Sequence, residues 1–105
     1  MYYEGIGNKQ ITLPKHLDDA QNVYHLFPIL CNKRDELQTY LKENGVETLI
    51  HYPIPPHKQE CYAQAAWNNN LQLPVTEQIA EQELSLPIGP TITPSQAQTI
   101  IDLLK

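Results

Sequence analysis

Between residues 51 and 57 the chain reads His51-Tyr52-Pro53-Ile54-Pro55-Pro56-His57, with three prolines inside four positions. Each proline holds its own φ at about −65°, lacks a backbone donor, and pushes the residue before it out of the helical region. No regular helix or central strand can run through such a stretch. Whatever lies on either side must therefore be joined by a stiff, extended loop. Two imidazoles and a phenol are displayed from it, and His51 and Tyr52 stand where a loop leaves a strand, a common position for binding residues. They are the candidate ligand contacts.

The flanking sequence supplies the elements that this loop must join. Residues 1–22 are weakly periodic and broken by Gly5, Gly7, Asn8 and Pro14, which predicts a frayed end followed by a loop. Residues 23–30 are β-rich and apolar on both alternating faces, predicting a covered strand with Pro28 at a sheet edge or bulge. A helix is expected over 33–44, with Asn32 as its cap and Gly45 as its left-handed exit, then a short strand over 46–50. Residues 57–66 allow a helical turn or two, ended by Trp67-Asn68-Asn69-Asn70.

Pro74 opens a further helix to about residue 83, with Val75, Ile79 and Ala80 as its inner face and Glu77, Glu81 and Glu83 as its solvated one. Residues 84–88 alternate as a third strand. Thr93 then caps a last helix whose stripe is Ala97, Ile100, Ile101 and Leu104. The sum is a single α/β (α+β) domain over 1–105. It divides into an N-terminal helix remnant and loop (1–22) and a small open three-stranded sheet packed by about four helices (23–105).

Charge and hydropathy exclude several classes. Twelve acidic residues stand against seven Lys and Arg, with no basic cluster to neutralise phosphates, so nucleic acid is not an expected partner. The longest apolar run is six residues, against the ~20 of a membrane span, so no membrane partner is expected either. A start without a basic and then apolar leader, and two cysteines thirty positions apart, point to a cytoplasmic chain with free thiols.

Taken as bare chemistry, His51, His57 and Cys61 offer zinc-compatible ligands, but in no compact zinc spacing. A Cys61–His57 nucleophile and base pair is a second possibility, lacking an orienting third residue. His25, inside the first strand, reads as a core histidine, and Tyr62 and Trp67 as packing residues.

Several stretches together resemble the C-terminal small domain of the DegT/DnrJ/StrS nucleotide-sugar aminotransferases. They are Val23-Tyr24-His25-Leu26-Phe27, Arg34-Asp35-Glu36-Leu37, Gly45-Val46-Glu47-Thr48, His51-Tyr52-Pro53-Ile54-Pro55 with His57, Gln59 and Tyr62, and Leu84-Ser85-Leu86-Pro87. Tyr2-Tyr3-Glu4-Gly5-Ile6 is similar to the end of that family's inter-domain helix.

The resemblance implies part of a fold type I enzyme that uses pyridoxal phosphate to move an amino group from glutamate to a nucleotide-linked keto-sugar, for cell-surface polysaccharides. It implies a large domain and a dimer mate as partners, and His51 and Tyr52 as contacts to the nucleotide sugar. The catalytic lysine and the cofactor-gripping residues belong to the large domain. Lys9, Lys15, Lys33, Lys42, Lys58 and Lys105 all lack the context of that lysine. The chain is therefore expected to carry no cofactor and to be inactive alone. The alternative is a stand-alone binding or regulatory module derived from the same domain. Pro28 and Cys31-Asn32 depart from the family pattern, in which a regular strand often ends on a basic residue.

Overall fold

The computed structural model describes residues 1–18 and 21–105. In chain order the elements are helix α1 (Tyr2–Gly5), strand β1 (Ile11–Thr12), strand β2 (Phe27–Cys31), helix α2 (Arg34–Glu43), helix α3 (Pro74–Gln82), strand β3 (Glu83–Leu86) and helix α4 (Pro94–Leu103). Between α2 and α3 lie three short 3-10 turns, Pro56–Lys58, Glu60–Tyr62 and Ala66–Asn68. The sheet is antiparallel in the order β1-β2-β3. Its strand count and the four α-helices match expectation, but its membership does not.

The predicted strand over 46–50 is reduced to a single bridge, Leu49 opposite Ser85. The third strand is instead β1, two residues long and too short to announce itself by periodicity. The predicted strand from residue 23 begins only at Phe27, because Asn22 Oδ1 accepts the Tyr24 N–H in an Asx turn and Tyr24 takes φ 49°. His25 lies in that bent entry and is exposed rather than in the core.

Pro28 sits in the central strand without a bulge in the register. Ser85 exchanges both its backbone hydrogen bonds with Leu49, so the Pro28–Ser85 pair is the non-bonded type and the Pro28 nitrogen faces away from β3. On that side β1 pairs only with Leu30 and Cys31. The missing donor is therefore edge-like although the strand is central.

Cross-strand partners share a face, so Phe27 with Leu86 and Ile29 with Leu84 line one side of the sheet. They form one core with Tyr2, Ile6, Ile11, Leu41, Val46, Ile100, Ile101 and Leu104. Glu83 and Ser85 then point to the opposite side of β3, and they too are buried, which makes β3 covered on both faces.

The helices follow their local signals. Val46 N–H bonds Leu41 C=O and Gly45 N–H bonds Lys42 C=O, closing α2 in a Schellman motif with Gly45 at φ 80°. Asn32 does not cap α2; its Oδ1 accepts from Gln82 instead, and Lys33 occupies the cap position. Arg34 Nη1 donates to the Ala80 and Glu83 carbonyls, satisfying the end of α3 and tying it to α2. Thr93 and Gln96 form a full capping box on α4. In α3 only Ala80 is buried; Val75 and Ile79, read as inner-face residues, are 68% and 45% exposed.

Candidate functional site

The loop after Leu49 is anchored by the polar face of β3. His51 N–H donates to Glu83 Oε2 at 2.7 Å, and Ser85 Oγ donates to Glu83 Oε1 at 2.6 Å. His51 Nδ1 lies 2.8 Å from Ser85 Oγ and 3.9 Å from Glu83 Oε1. Glu83 is 5% exposed, yet both its oxygens are satisfied, which is what makes a buried carboxylate tolerable. The imidazole stands above this pair, partly exposed, on the wall between two shallow clefts. One, of about 350 Å³, is bordered by Leu26, Thr48, Leu49 and Pro87. The other, of about 320 Å³, is bordered by Tyr52, Pro55, Pro56, Thr76 and Ile79.

Tyr52 has φ 58° and is 78% exposed. A left-handed conformation costs a non-glycine residue about 1–2 kcal/mol, and it turns the phenol away from the body of the chain beside the second cleft. The structure thus places both sequence-predicted contacts at one accessible spot, His51 held by hydrogen bonds and Tyr52 by backbone geometry.

His57 is not displayed with them. It is buried, its Nε2 lies 2.9 Å from Glu77 Oε1, and its Nδ1 has no hydrogen-bond partner. Glu77 also accepts from Lys58 at 2.9 Å and from the Leu73 N–H at 3.2 Å. With the His57 hydrogen bond contributing most, then Lys58, then Leu73, the Glu77 carboxyl is pulled down to about 2 from its ordinary 4.5. Glu77 therefore clamps the 3-10 turns to α3 and is not a free solvated carboxylate. Cys61 is exposed, and among the described residues no three His, Cys, Asp or Glu side chains gather to hold a metal. The His51–His57–Cys61 grouping that sequence chemistry allows is thus not assembled. Tyr62 and Trp67 pack on each other with ring centroids 5.5 Å apart.

Glu83 and Ser85 are the residues beneath His51 that sequence reasoning missed. Glu83 reads as the end of a helix face, and Ser85 as a polar position on a half-solvated strand. The available signal is the period-2 pattern Glu83-Leu84-Ser85-Leu86, which places both polar side chains on one face. That this face is covered by the His51 loop is visible only in three dimensions.

Pyridoxal phosphate requires an amine that forms a Schiff base and donors for its phosphate. All six lysines are exposed, Lys33, Lys58 and Lys105 pair with carboxylates, and none borders either cleft beside His51. The clefts beside His51 therefore offer no amine for that Schiff base. Among the described residues, no helix is long and apolar enough to cross a membrane.

Comparison with known proteins gives a consistent result. The chain is 41% identical over 101 residues to the dTDP-3-amino-3,6-dideoxy-alpha-D-galactopyranose transaminase of Aneurinibacillus thermoaerophilus, a match covering 96% of this chain and 27% of that protein. It is 41% identical over 105 residues to the dTDP-3-amino-3,4,6-trideoxy-alpha-D-glucose transaminase of Streptomyces venezuelae, covering 99% and 27%. Among solved structures, S. venezuelae DesV in complex with a ketimine intermediate superposes with a TM-score of 0.88 at 41% identity, covering 98% of this chain and 28% of that one. NtdA of Bacillus subtilis with bound cofactor PMP gives 0.80 at 31%, covering 98% and 25%. The chain thus spans about a quarter of the length of the relatives it matches. Its whole length, residues 1–105, fits one family profile, and the chain belongs to the DegT/DnrJ/EryC1/StrS aminotransferase family.

Proposed function

We propose that the chain is the C-terminal small domain of a pyridoxal-phosphate-dependent nucleotide-sugar aminotransferase. In that protein it supplies one wall of the site where an amino group passes from glutamate to a keto-sugar destined for cell-surface polysaccharide. His51 and Tyr52 are the substrate contacts. The cofactor, the catalytic lysine and the remaining walls come from a large domain and a dimer mate, so the chain alone does not transaminate. Residues 1–105 form one domain, with 1–22 as an N-terminal helix remnant and loop, of which positions 19 and 20 lie outside the described residues, and the setting is cytoplasmic.

One observation carries this proposal. The candidate contacts sit on an uncovered apolar face, where Leu26, Leu49, Tyr52 and Ile79, all at least 40% exposed, flank His51. A binding residue in shallow clefts walled by exposed apolar side chains belongs to a site that another unit completes. Relatives about four times longer, named as transaminases, support that unit being the rest of an aminotransferase.

A chimera tests the proposal: residues 1–105 replace the matching segment of the Streptomyces venezuelae transaminase. The chimera is expected to retain amino transfer, with His51→Ala lowering kcat/KM about 10- to 100-fold, the scale of one lost hydrogen bond to substrate. Tyr52→Ala is expected to lower it less. A folded chimera in which both variants leave kcat/KM unchanged would overturn the substrate-contact assignment. The isolated chain mixed with pyridoxal phosphate, glutamate and keto-sugar is expected to show no turnover, and a stoichiometric lysine adduct would contradict the division of labour.

A further inference from the structure

His51 has one ring nitrogen engaged and one free. Nδ1 meets Ser85 Oγ at 2.8 Å. Nε2 has no hydrogen bond from the described residues, and among these the only buried side-chain nitrogen or oxygen without a partner is His57 Nδ1, so His51 Nε2 is not sealed within the protein, and the residue lines both clefts. The hydroxyl of Ser85 has a single proton. Glu83 Oε1, 2.6 Å away, takes that proton in a hydrogen bond whenever the carboxylate is ionised. Ser85 Oγ then has only lone pairs to offer His51, and Nδ1 must carry the hydrogen. The other carboxylate oxygen is held in place by the His51 N–H at 2.7 Å, so the carboxyl cannot rotate out of this arrangement without losing a bond.

We infer that Glu83 and Ser85 are positioning residues that hold neutral His51 as its Nδ1–H tautomer and present the Nε2 lone pair to the ligand. This tautomer is the minor one of a free imidazole, so the protein is selecting it. A lone pair at Nε2 accepts a hydrogen bond from a hydroxyl or an amine and offers nothing to a phosphate oxygen. Within the proposed function, on which this inference rests, His51 contacts a hydroxyl of the sugar and not the diphosphate. Both act through the imidazole ring, Glu83 from beneath it and Ser85 from the lining of the first cleft.

Nitrogen-15 NMR of the labelled chain reads the tautomer directly, at a pH above about 8 where an imidazole is neutral. In the wild type, Nδ1 of His51 is expected at a pyrrole-like shift and Nε2 at a pyridine-like shift, in a ratio of roughly ten to one. Glu83→Gln should reverse this. Its amide oxygen is claimed by the His51 N–H, its amide nitrogen donates to Ser85 Oγ, and the Ser85 hydroxyl must then donate to Nδ1, driving the proton to Nε2. Ser85→Ala removes the partner and should also return the ring to mainly Nε2–H. It serves as the independent variant if Glu83→Gln does not fold.

A wild-type ring protonated at Nε2, or a tautomer ratio unmoved in a folded variant, would overturn the inference. In the chimera, Glu83→Gln should raise the Kd of a dTDP-sugar about tenfold and leave that of dTDP unchanged; equal loss for both would refute the hydroxyl as partner. The two proposals fail separately. An Nδ1–H ring in a chimera indifferent to both His51→Ala and Tyr52→Ala sinks the substrate-contact assignment and keeps the network. A His51-dependent chimera with an Nε2–H ring does the opposite.

Discussion

Two histidines six positions apart, His51 and His57, end in opposite environments because each bonds a different glutamate. The Glu77 clamp on His57 and Lys58 has a pH signature. Its carboxyl is held at about 2, below the ordinary 4.5, so its stabilising contribution is complete above about 4.5 and is lost as pH falls towards 2. Urea midpoints of the wild type should therefore drop across that window, and Glu77→Gln should flatten the drop. Asp102, whose carboxyl is held low by Lys105 and then Gln98, leaves a residual slope in that variant. Tyr2 gives the alkaline counterpart. Its hydroxyl donates to the Pro87 carbonyl at 2.7 Å, and burial pushes its pKa above the ordinary 10. A raised folded pKa means stability that is present below 10 and lost as pH rises beyond it. Tyr2→Phe should cost about 1 kcal/mol at neutral pH and remove that alkaline loss, as measured by denaturation at pH 7 and pH 11. At this scale the loop that carries His51 and Tyr52 was legible, since prolines declare a stiff loop in any sequence. The roles of Glu77 and Glu83 were not, because their partners lie 20 and 32 positions away.

Among the elements, α2 and α4 were readable nearly to the residue. Their signals, a glycine exit and a Thr93 cap followed by Pro94, act within one turn of the chain. Strands were readable only where both faces alternate; β1 has two residues, and the segment over 46–50 forms a single bridge. Helix α1 depends on tertiary contact. It is four residues long, far below what a helix in water sustains, and it survives by packing on α4. A methyl group placed on Gly5 would come within 2.7 Å of both Cγ2 and Cδ1 of Ile101. Gly5→Ala is therefore expected to destabilise the chain by about 1–3 kcal/mol through overpacking, although alanine is the better helix former. A thermal melt unchanged or raised in this variant would contradict the α1–α4 packing.

At the scale of the molecule, the radius of gyration is 16.0 Å, where about 13 Å is usual for a self-contained domain of this length. The accessible surface is 7658 Å², where a 12.0 kDa monomer ordinarily shows about 6,000 Å². The excess is about twice the roughly 800 Å² that one partner contributes to a standard protein–protein interface. Without its complement the chain should self-associate. Light scattering is expected to show a mass rising with concentration, and Leu49→Asp with Ile79→Asp should lower it towards the monomer; a constant monomeric mass in the wild type would count against an interface on this face. Local residue preferences account for the order of helices, the cap and exit signals, and the rigid segment that carries His51 and Tyr52. Only the packed chain sets which strands pair, buries His57, and brings Glu83 and Ser85 beneath His51. Those contacts span 32 and 34 positions, and burial of apolar surface on the far side of β3 selects them, not any preference written within a few residues.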